Sequence, residues 1–225
     1  MTRAMADLST IGVVGGTGSE GGGLALRWAR AGYAVVVGSR SADKAARAAD
    51  DLNKLLPPPC PRIRGMSNGD CAAAANVIVL TVPFAAQQQA VEAMREQLRG
   101  KILVDVTVPL VPPKVGRVQL PPGGSAVEAM QRLLGQGVRI VSAFQNVTAQ
   151  HLRDLDHAVD CGVLVCGDDE EARELVVTLA EAAGLRAWHA GPLANSAAAE
   201  ALTSVLISIN RRYKVTAAGI RITGL

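Results

Sequence analysis

The sequence predicts an α/β protein of the Rossmann type: a doubly wound, mostly parallel sheet with a small α/β C-terminal lobe. Two observations support this fold class. Short apolar runs such as Ile11 to Val14 and Val77 to Leu80 alternate with longer mixed segments, and a glycine-rich turn directly follows the first run. Strands that are apolar on both faces and separated by helices are typical of a parallel sheet covered by helices on both sides.

Composition narrows the functional class. The chain has 225 residues, of which 49% are hydrophobic and 19% charged, which is enough apolar material for a sizeable core. The small net charge of +3 and the few aromatic residues argue against a nucleic-acid partner. No apolar run approaches the ~20 residues that span a bilayer, and the first residues do not resemble a signal peptide. Four cysteines without a Cys-x-x-Cys pair indicate neither zinc nor disulfides, so we expect a cytoplasmic protein without a membrane partner.

The elements follow in order along the chain. In the first part, strands are predicted at 11–14, 34–37, 62–66, 77–81, 101–106 and 139–142, with helices at 24–31, 42–56, 69–75, 85–98 and 125–134. A long loop rich in proline and glycine covers 109–124. In the second part, strands are predicted at 162–166 and 185–190, with helices at 168–183 and 195–212. We place a boundary near residue 143, so that 1–143 form a dinucleotide-binding domain and 144–225 a smaller lobe that closes the substrate cleft.

A dinucleotide fingerprint lies between the first strand and the first helix. Its Gly-x-Gly-x-x-Gly pattern falls at Gly16, Gly18 and Gly21. The first glycine allows a tight turn, the second a close approach of pyrophosphate, and the third close helix–strand packing. The cofactor-binding residues predicted here are Gly16, Thr17, Gly18, Ser19, Glu20 and Gly21.

The end of the second strand predicts which dinucleotide binds. NAD enzymes usually carry Asp or Glu about 20 residues after the fingerprint, where a carboxylate binds the ribose hydroxyls. This chain instead has Ser39, Arg40 and, one helical turn later, Lys44. A hydroxyl and two cations would bind a 2′-phosphate that a carboxylate would repel. The sequence therefore favours NADP.

A third segment, Thr81-Val82-Pro83, ends the fourth strand, at the edge where ligands bind in open α/β sheets. We expect Thr81, Val82 and Pro83 to lie along the cofactor.

Acid–base and metal motifs are missing from the sequence. His151, His157 and His189 form no recognisable His–carboxylate arrangement, and each is interpreted as a surface or packing residue. The acidic run 168–171 fits a helix start, where negative charge complements the helix dipole. We therefore predict no catalytic side chain and no metal site, which suits a hydride transfer governed by orientation and desolvation.

The chain resembles the NADPH-dependent reductases of the deazaflavin coenzyme F420. The resemblance spans nearly the whole chain and rests on segments that stand in this order: Gly15-Gly16-Thr17-Gly18, Val37-Gly38-Ser39-Arg40 with Lys44, Leu80-Thr81-Val82-Pro83, Val141-Ser142-Ala143, Val165-Cys166-Gly167-Asp168-Asp169, and Ala190-Gly191-Pro192-Leu193 followed by Asn195. Members often carry His where this chain has Gln145.

The resemblance implies NADP as cofactor, coenzyme F420 as co-substrate and a direct hydride transfer between their rings. The acceptor site that it implies comprises Ala143, Phe144, Gln145, Asn146, Val147, Gly191, Pro192, Leu193 and Asn195. Because both segments follow predicted strands, we expect them at the same carboxyl edge of the sheet. Two alternatives stay open: an NADPH-dependent reductase of another small-molecule acceptor such as a flavin, and a non-catalytic NADP-sensing protein.

A homodimer is a further expectation. Leu202, Val205, Leu206 and Ile209 form an apolar face at helical spacing in the last helix, although packing within the chain itself would explain the same pattern.

Overall fold

The computed structural model describes residues 10–224 and contains one eight-stranded sheet in the order β3-β2-β1-β4-β5-β6-β7-β8. The strands are β1 (Ile11–Val14), β2 (Val35–Ser39), β3 (Arg64–Ser67), β4 (Val77–Leu80), β5 (Ile102–Asp105), β6 (Arg139–Ser142), β7 (Gly162–Gly167) and β8 (Arg186–His189). The helices are α1 (Ser19–Arg30), α2 (Ala42–Asn53), α3 (Asn68–Ala74), α4 (Phe84–Ala93), α5 (Arg95–Leu98), α6 (Ala126–Leu134), α7 (Glu170–Ala182) and α8 (Ser196–Tyr213). The predicted Rossmann-type fold class is confirmed.

The six strands β1 to β6 are parallel, and all but the edge strand β3 lie largely buried between two apolar layers. Successive residues of one strand enter different layers: Val13 packs in one cluster and Val14 in the other. This alternation follows from the two-residue repeat of side chains along a strand, and it explains why the central strand β4 has an apolar residue at every position.

The direction of the sheet changes at β7. Ser142 of β6 pairs with Cys166 in an antiparallel ladder, whereas β8 runs parallel to β7. The carboxyl ends of β7 and β8 therefore point towards the opposite edge from those of β1 to β6.

Most predicted elements are present, with shifted ends. The first helix begins at Ser19 instead of residue 24, because Gly21, the last glycine of the fingerprint, and the two glycines after it are already helical. The predicted helix 85–98 is two helices, since the backbone of Met94 leaves the helical conformation between α4 and α5. The strand 139–142 has the predicted bounds.

Residues on both sides of position 143 share one sheet and one core. Val163, Val176 and Leu179 belong to the same apolar cluster as Leu24 and Trp28 of α1. The indole Nε1 of Trp28 donates to the Leu179 carbonyl at 2.8 Å. The division of the chain at residue 143 stays a prediction, and the packing across it is continuous.

Within residues 10–224, no helix has the length and apolar character needed to cross a bilayer.

Candidate functional site

The fingerprint loop joins β1 to α1, and its glycines are held tightly. The N–H groups of Gly15 and Gly16 both donate to the Gly38 carbonyl of β2 at 3.1 Å. A Cβ on Gly16 would lie 2.8 Å from the Val13 carbonyl oxygen, and a Cβ on Gly21 would collide with the Thr81 hydroxyl. These two positions require glycine for packing alone.

Gly18 differs from its neighbours. Among residues 10–224, a Cβ placed there would meet only the Gly15 carbonyl oxygen, at an ordinary 3.5 Å, and φ of Gly18 is −75°. The folded chain therefore leaves space next to the Gly18 Cα, and a ligand could enter that space. Packing within the protein does not explain this glycine.

The start of α1 presents unused donors. Gly18 is its N-cap and makes no side-chain cap, and the first helical bond is donated by Gly22 to the Gly18 carbonyl. Among residues 10–224, the N–H groups of Ser19, Glu20 and Gly21 have no hydrogen-bond partner. Such a helix start binds anions, since free N–H groups and the helix dipole both favour negative charge.

Glu20 lies in this first turn. Burial raises the pKa of Glu20 to about 8, so that the carboxyl group is mostly protonated at neutral pH. The acidic residue therefore adds little negative charge where an anion would bind.

The end of β2 carries the residues predicted for a 2′-phosphate. Arg40 and Lys44 are exposed, and neither makes an ion pair within the described part of the chain. The Ser39 hydroxyl accepts from the Ser41 N–H at 3.4 Å, which leaves its own hydrogen free to donate. Ser41, which sequence reasoning did not single out, caps α2 by accepting from the Lys44 N–H at 3.3 Å.

The end of β4 lies against the same loop. The Thr81 hydroxyl donates to the Val14 carbonyl at 2.9 Å, and Val82 Cγ1 is 3.0 Å from the position of a Cβ on Gly15. Pro83 is the N-cap of α4. The predicted segments 16–21, 39–44 and 81–83 therefore lie next to one another.

A buried polar cluster follows at the ends of β5 and β6. Asp105, at 0% exposure, accepts from Gln87 Nε2 at 2.6 Å and from the Thr107 N–H at 2.9 Å. Burial raises the pKa of Asp105, and these hydrogen bonds partly offset the effect. The Asp105 carbonyl accepts from Gln145 Nε2 at 2.8 Å.

That bond orients Gln145. A carbonyl only accepts, so the contacting atom must be the amide nitrogen. The other amide atom, Oε1, is buried and has no hydrogen-bond partner among residues 10–224. An unsatisfied buried oxygen is costly, which points to a donor supplied from outside the protein.

The rest of the predicted segment 143–147 is buried and fastened to α8. Asn146 Nδ2 donates to the Ala199 carbonyl at 2.8 Å, and the Thr203 hydroxyl donates to the Gln145 carbonyl at 2.8 Å. Phe144 has φ 72° and packs edge-to-face against Trp28 at 6.0 Å. The Phe144 ring is therefore part of the core.

The placement of Gly191–Asn195 at the acceptor site stays a prediction, although the direction assumed for its strand differs from the structure. β8 runs antiparallel to β6 and is separated from it by β7, whose Gly167 N–H donates to the Gly191 carbonyl at 3.1 Å. Leu193 is 2% exposed and packs in a core cluster, and Asn195 Nδ2 donates to the Ala190 carbonyl of its own loop. Pro192 is the exposed N-cap of the short turn at Leu193–Asn195.

The acidic run behaves as a helix start. Asp169 caps α7 by accepting from the Ala172 N–H at 2.7 Å, and Asp168 accepts from the Leu193 N–H at 2.9 Å. His151 and His157 stack on each other at 4.2 Å, and His189 contacts Glu174 at 2.9 Å. No group of His, Cys, Asp and Glu residues in 10–224 is arranged to hold a metal ion.

Sequence reasoning missed two contributions to the site. The helix α8 faces the 145–146 segment through Ala199 and Thr203, and a loop after residue 148 brings Arg153 to the fingerprint, where it donates to the Gly18 carbonyl at 3.2 Å. Both contacts join residues far apart in the chain, so no local pattern announces them.

Together, the parallel sheet, the glycine loop and the open helix start define a dinucleotide-binding protein of the Rossmann class. Comparison with known proteins narrows this class. A family model described as "NADP oxidoreductase coenzyme F420-dependent" matches residues 10–109. The chain is 42% identical to the F420-dependent NADP reductase of Methanothermobacter thermautotrophicus, over 96% of this chain and 95% of the relative. It is 41% identical to the F420-dependent NADP reductase of Methanocaldococcus jannaschii, over 96% and 98%.

A solved structure from Arthrobacter sp. FB24 superimposes with a TM-score of 0.77 at 26% identity, covering 96% of this chain and 99% of that one. The chain belongs to the F420-dependent NADP reductase family.

Proposed function

We propose that this protein is an oxidoreductase that transfers a hydride directly between NADP(H) and the deazaflavin coenzyme F420. The observation that carries the proposal is the pairing of an open anion-binding helix start with two cations, Arg40 just after β2 and Lys44 in the first turn of α2. Neither makes an ion pair within residues 10–224. The curated relatives, of nearly the same length, are named F420-dependent NADP reductases.

The nucleotide would lie along the carboxyl edge of the parallel strands. Residues 16–21 would receive the pyrophosphate on the free N–H groups of α1. Ser39, Arg40 and Lys44 would bind the 2′-phosphate, and residues 81–83 would follow the cofactor towards the nicotinamide. The residues present fit the group, because Gly18 keeps open space and the donors around it have no partner in residues 10–224.

The acceptor would lie beyond the end of β6. Gln145 supports this because Oε1 is an unpartnered acceptor, suited to a ring N–H and unsuited to a ring carbonyl. Residues 143–147 and the α8 face at Thr203 would form this side of the site. The segment 191–195 stays part of the proposed acceptor site on the family resemblance alone, because the direction of β8 does not support the sheet-edge argument.

The protein's own contribution is orientation and exclusion of water. When bound, NADPH supplies the hydride and the deazaflavin takes it up without a protein acid or base. The buried Asp105 carbonyl fixes the Gln145 amide, and α8 fixes the backbone beside it. Fixed groups of this kind lower the barrier by holding the two rings in a reactive geometry.

A spectroscopic assay tests the proposal. The protein is mixed with NADPH and, separately, with coenzyme F420, FMN or FAD, and loss of nicotinamide absorbance is followed. We expect NADPH to be oxidised in the presence of coenzyme F420 but not in the presence of FMN or FAD. Turnover with the flavins alone would assign a flavin reductase, and tight NADPH binding without turnover would assign a sensor; either result overturns the proposal.

We further propose a cytoplasmic homodimer. All four cysteines are free thiols, as a reducing compartment requires. In α8, Val205 and Ile209 are exposed, whereas Leu206 packs inside the chain, so Val205 and Ile209 are the residues left for a partner. Light scattering tests this: the parent should be a dimer, and Ile209→Glu should be a monomer. A monomeric parent at micromolar concentration would count against it.

A further inference from the structure

The side chain of Arg153 lies over the fingerprint loop. Its Nη2 donates to the Gly18 carbonyl at 3.2 Å and is 2.8 Å from the position that a Cβ on Gly22 would take. The absence of a side chain at Gly22 is therefore what admits the guanidinium. Arg153 is otherwise exposed, and no carboxylate of residues 10–224 lies within ion-pair distance of it.

The backbone that carries Arg153 is rigidly held. Arg27, 7% exposed in α1, donates to the carbonyls of Leu152 and Asp154, on either side of Arg153, at 2.8 Å each. Leu152 is fully buried, and a Cβ on Gly23 would collide with it. The position of Arg153 is thus set by buried neighbours, although its own side chain is exposed.

The charge of Arg153 is unfavourable where it lies unless an anion joins it. The start of α1 is the positive end of the helix dipole, and its free N–H groups add partial positive charge. A cation next to this end, without a carboxylate partner, is repelled. A bound phosphate group would turn this repulsion into attraction from both sides, since guanidinium and free N–H groups are complementary donors for phosphate oxygens.

We propose that Arg153 is a pyrophosphate-binding residue of the dinucleotide site, contributed from the C-terminal part of the chain. It adds a cation beside the first turn of α1 to the phosphate site, whereas Arg40 and Lys44 serve the 2′-phosphate. This inference rests on the proposed NADP binding.

The proposal predicts that Arg153 and Arg40 contribute to the affinity of different sets of ligands. Loss of Arg153 must weaken every ligand that carries the pyrophosphate, including NADH and ADP-ribose, which lack a 2′-phosphate. Loss of Arg40 must affect only ligands that carry the 2′-phosphate.

The test measures dissociation constants of NADPH, NADH and ADP-ribose by calorimetry for the parent, Arg153→Gln and Arg153→Lys. Arg99→Gln is the control, because Arg99 is an exposed arginine that pairs with Glu96 in α5. Arg153→Gln should bind all three ligands about tenfold more weakly, Arg153→Lys should recover part of the loss, and the control should match the parent. Ligand-free Arg153→Gln should unfold at the same temperature as the parent or slightly above it, because the substitution removes a repelled charge.

Salt separates a charge effect from a structural one. The difference between the parent and Arg153→Gln should shrink in ~0.5 M salt, because screening weakens an exposed charge pair. Equal affinities for the parent and Arg153→Gln, or a difference that salt does not change, would overturn the role of Arg153. A parent protein that binds none of the three ligands would instead refute the proposed function.

Discussion

The Nε–H of Arg27 donates to the Leu152 carbonyl at 2.8 Å and joins α1 to a loop 125 positions away. The same guanidinium also donates to the carbonyls of His151, Asp154, His157 and Ala183. A buried cation is costly unless hydrogen bonds satisfy it, and here five backbone oxygens do so, with no carboxylate of residues 10–224 in ion-pair contact.

Arg27→Met should therefore destabilise the protein. The substitution keeps the apolar stem but leaves five carbonyls without their donor, and we expect a loss of roughly 3 kcal/mol in the free energy of unfolding by urea. The control is Arg30→Met, which removes an exposed arginine that contacts Asp156 at 3.3 Å and should cost less than about 1 kcal/mol. Equal effects of the two substitutions would contradict this role for Arg27.

The two glycines Gly18 and Gly21 should respond oppositely to alanine. Gly18→Ala should leave the free energy of unfolding within about 0.5 kcal/mol of the parent, because its Cβ has room, yet weaken NADPH binding roughly tenfold. Gly21→Ala should cost roughly 1–3 kcal/mol of stability, because its Cβ would collide with Thr81. Unfolding curves and calorimetric titration measure both quantities. Full NADPH affinity in Gly18→Ala would refute the placement of the pyrophosphate.

Arg40→Ala and Lys44→Ala should each weaken NADPH binding by about 1–3 kcal/mol and spare NADH, because only NADPH carries the 2′-phosphate. Ser39→Asp should shift the preference towards NADH by repulsion. Arg47→Ala, an exposed position one turn further along α2, is the matched control. Calorimetric titration with NADPH and NADH measures both affinities. Equal losses of affinity for the two nucleotides would contradict the assignment of these residues to the 2′-phosphate.

Glu20 should make both stability and nucleotide binding depend on pH. Its pKa is 4.5 in an unfolded chain and about 8 when folded, so between these values the folded state holds the extra proton. Stability conferred by this group is therefore present below about pH 4.5 and declines as pH rises towards about 8. NADPH affinity should decline as pH passes about 8, because ionised Glu20 repels phosphate.

Glu20→Gln should remove both effects. Urea unfolding and NADPH titration at several pH values between 5 and 9, for parent and variant, provide the measurement. The variant should exceed the parent in stability at the alkaline end and resemble it at the acidic end. Parallel pH profiles would show that Glu20 does not titrate in this range.

Gln145→Met should raise the KM for coenzyme F420 several-fold and change the Kd of NADPH less than about twofold, because it keeps the side-chain size but removes the acceptor Oε1 and the Nε2 bond to the Asp105 carbonyl that orients it. Gln88→Met serves as the control, since Gln88 is an exposed glutamine that donates to Glu92 at 3.0 Å. Steady-state kinetics and titration separate the two constants. A loss confined to NADPH affinity would contradict this role and would assign Gln145 to the nicotinamide site instead of the acceptor site.

The sequence was sufficient wherever local chemistry decides the structure. The strands around Val13 and Val79 and the turn at Gly16 follow from apolar runs and from glycines that nothing else can replace. The direction of β7 does not follow in this way, because its residues would suit either direction and the connection from 143 to 161 decides it. The contacts of Arg27 and Arg153 were also inaccessible, since each joins positions more than a hundred residues apart.

The continuous packing across residue 143 also determines how the site can open. Trp28 is enclosed by Phe144 on one side and hydrogen-bonded to Leu179 on another, so that rotating the C-terminal part away would strip the core of α1. A hinge at residue 143 would have to break this packing. Movement of a surface segment would leave the core intact, and the proline-rich loop at 109–124 is one such segment, joined to α8 by the Ser208 hydroxyl, which donates to the Gly116 carbonyl at 2.6 Å.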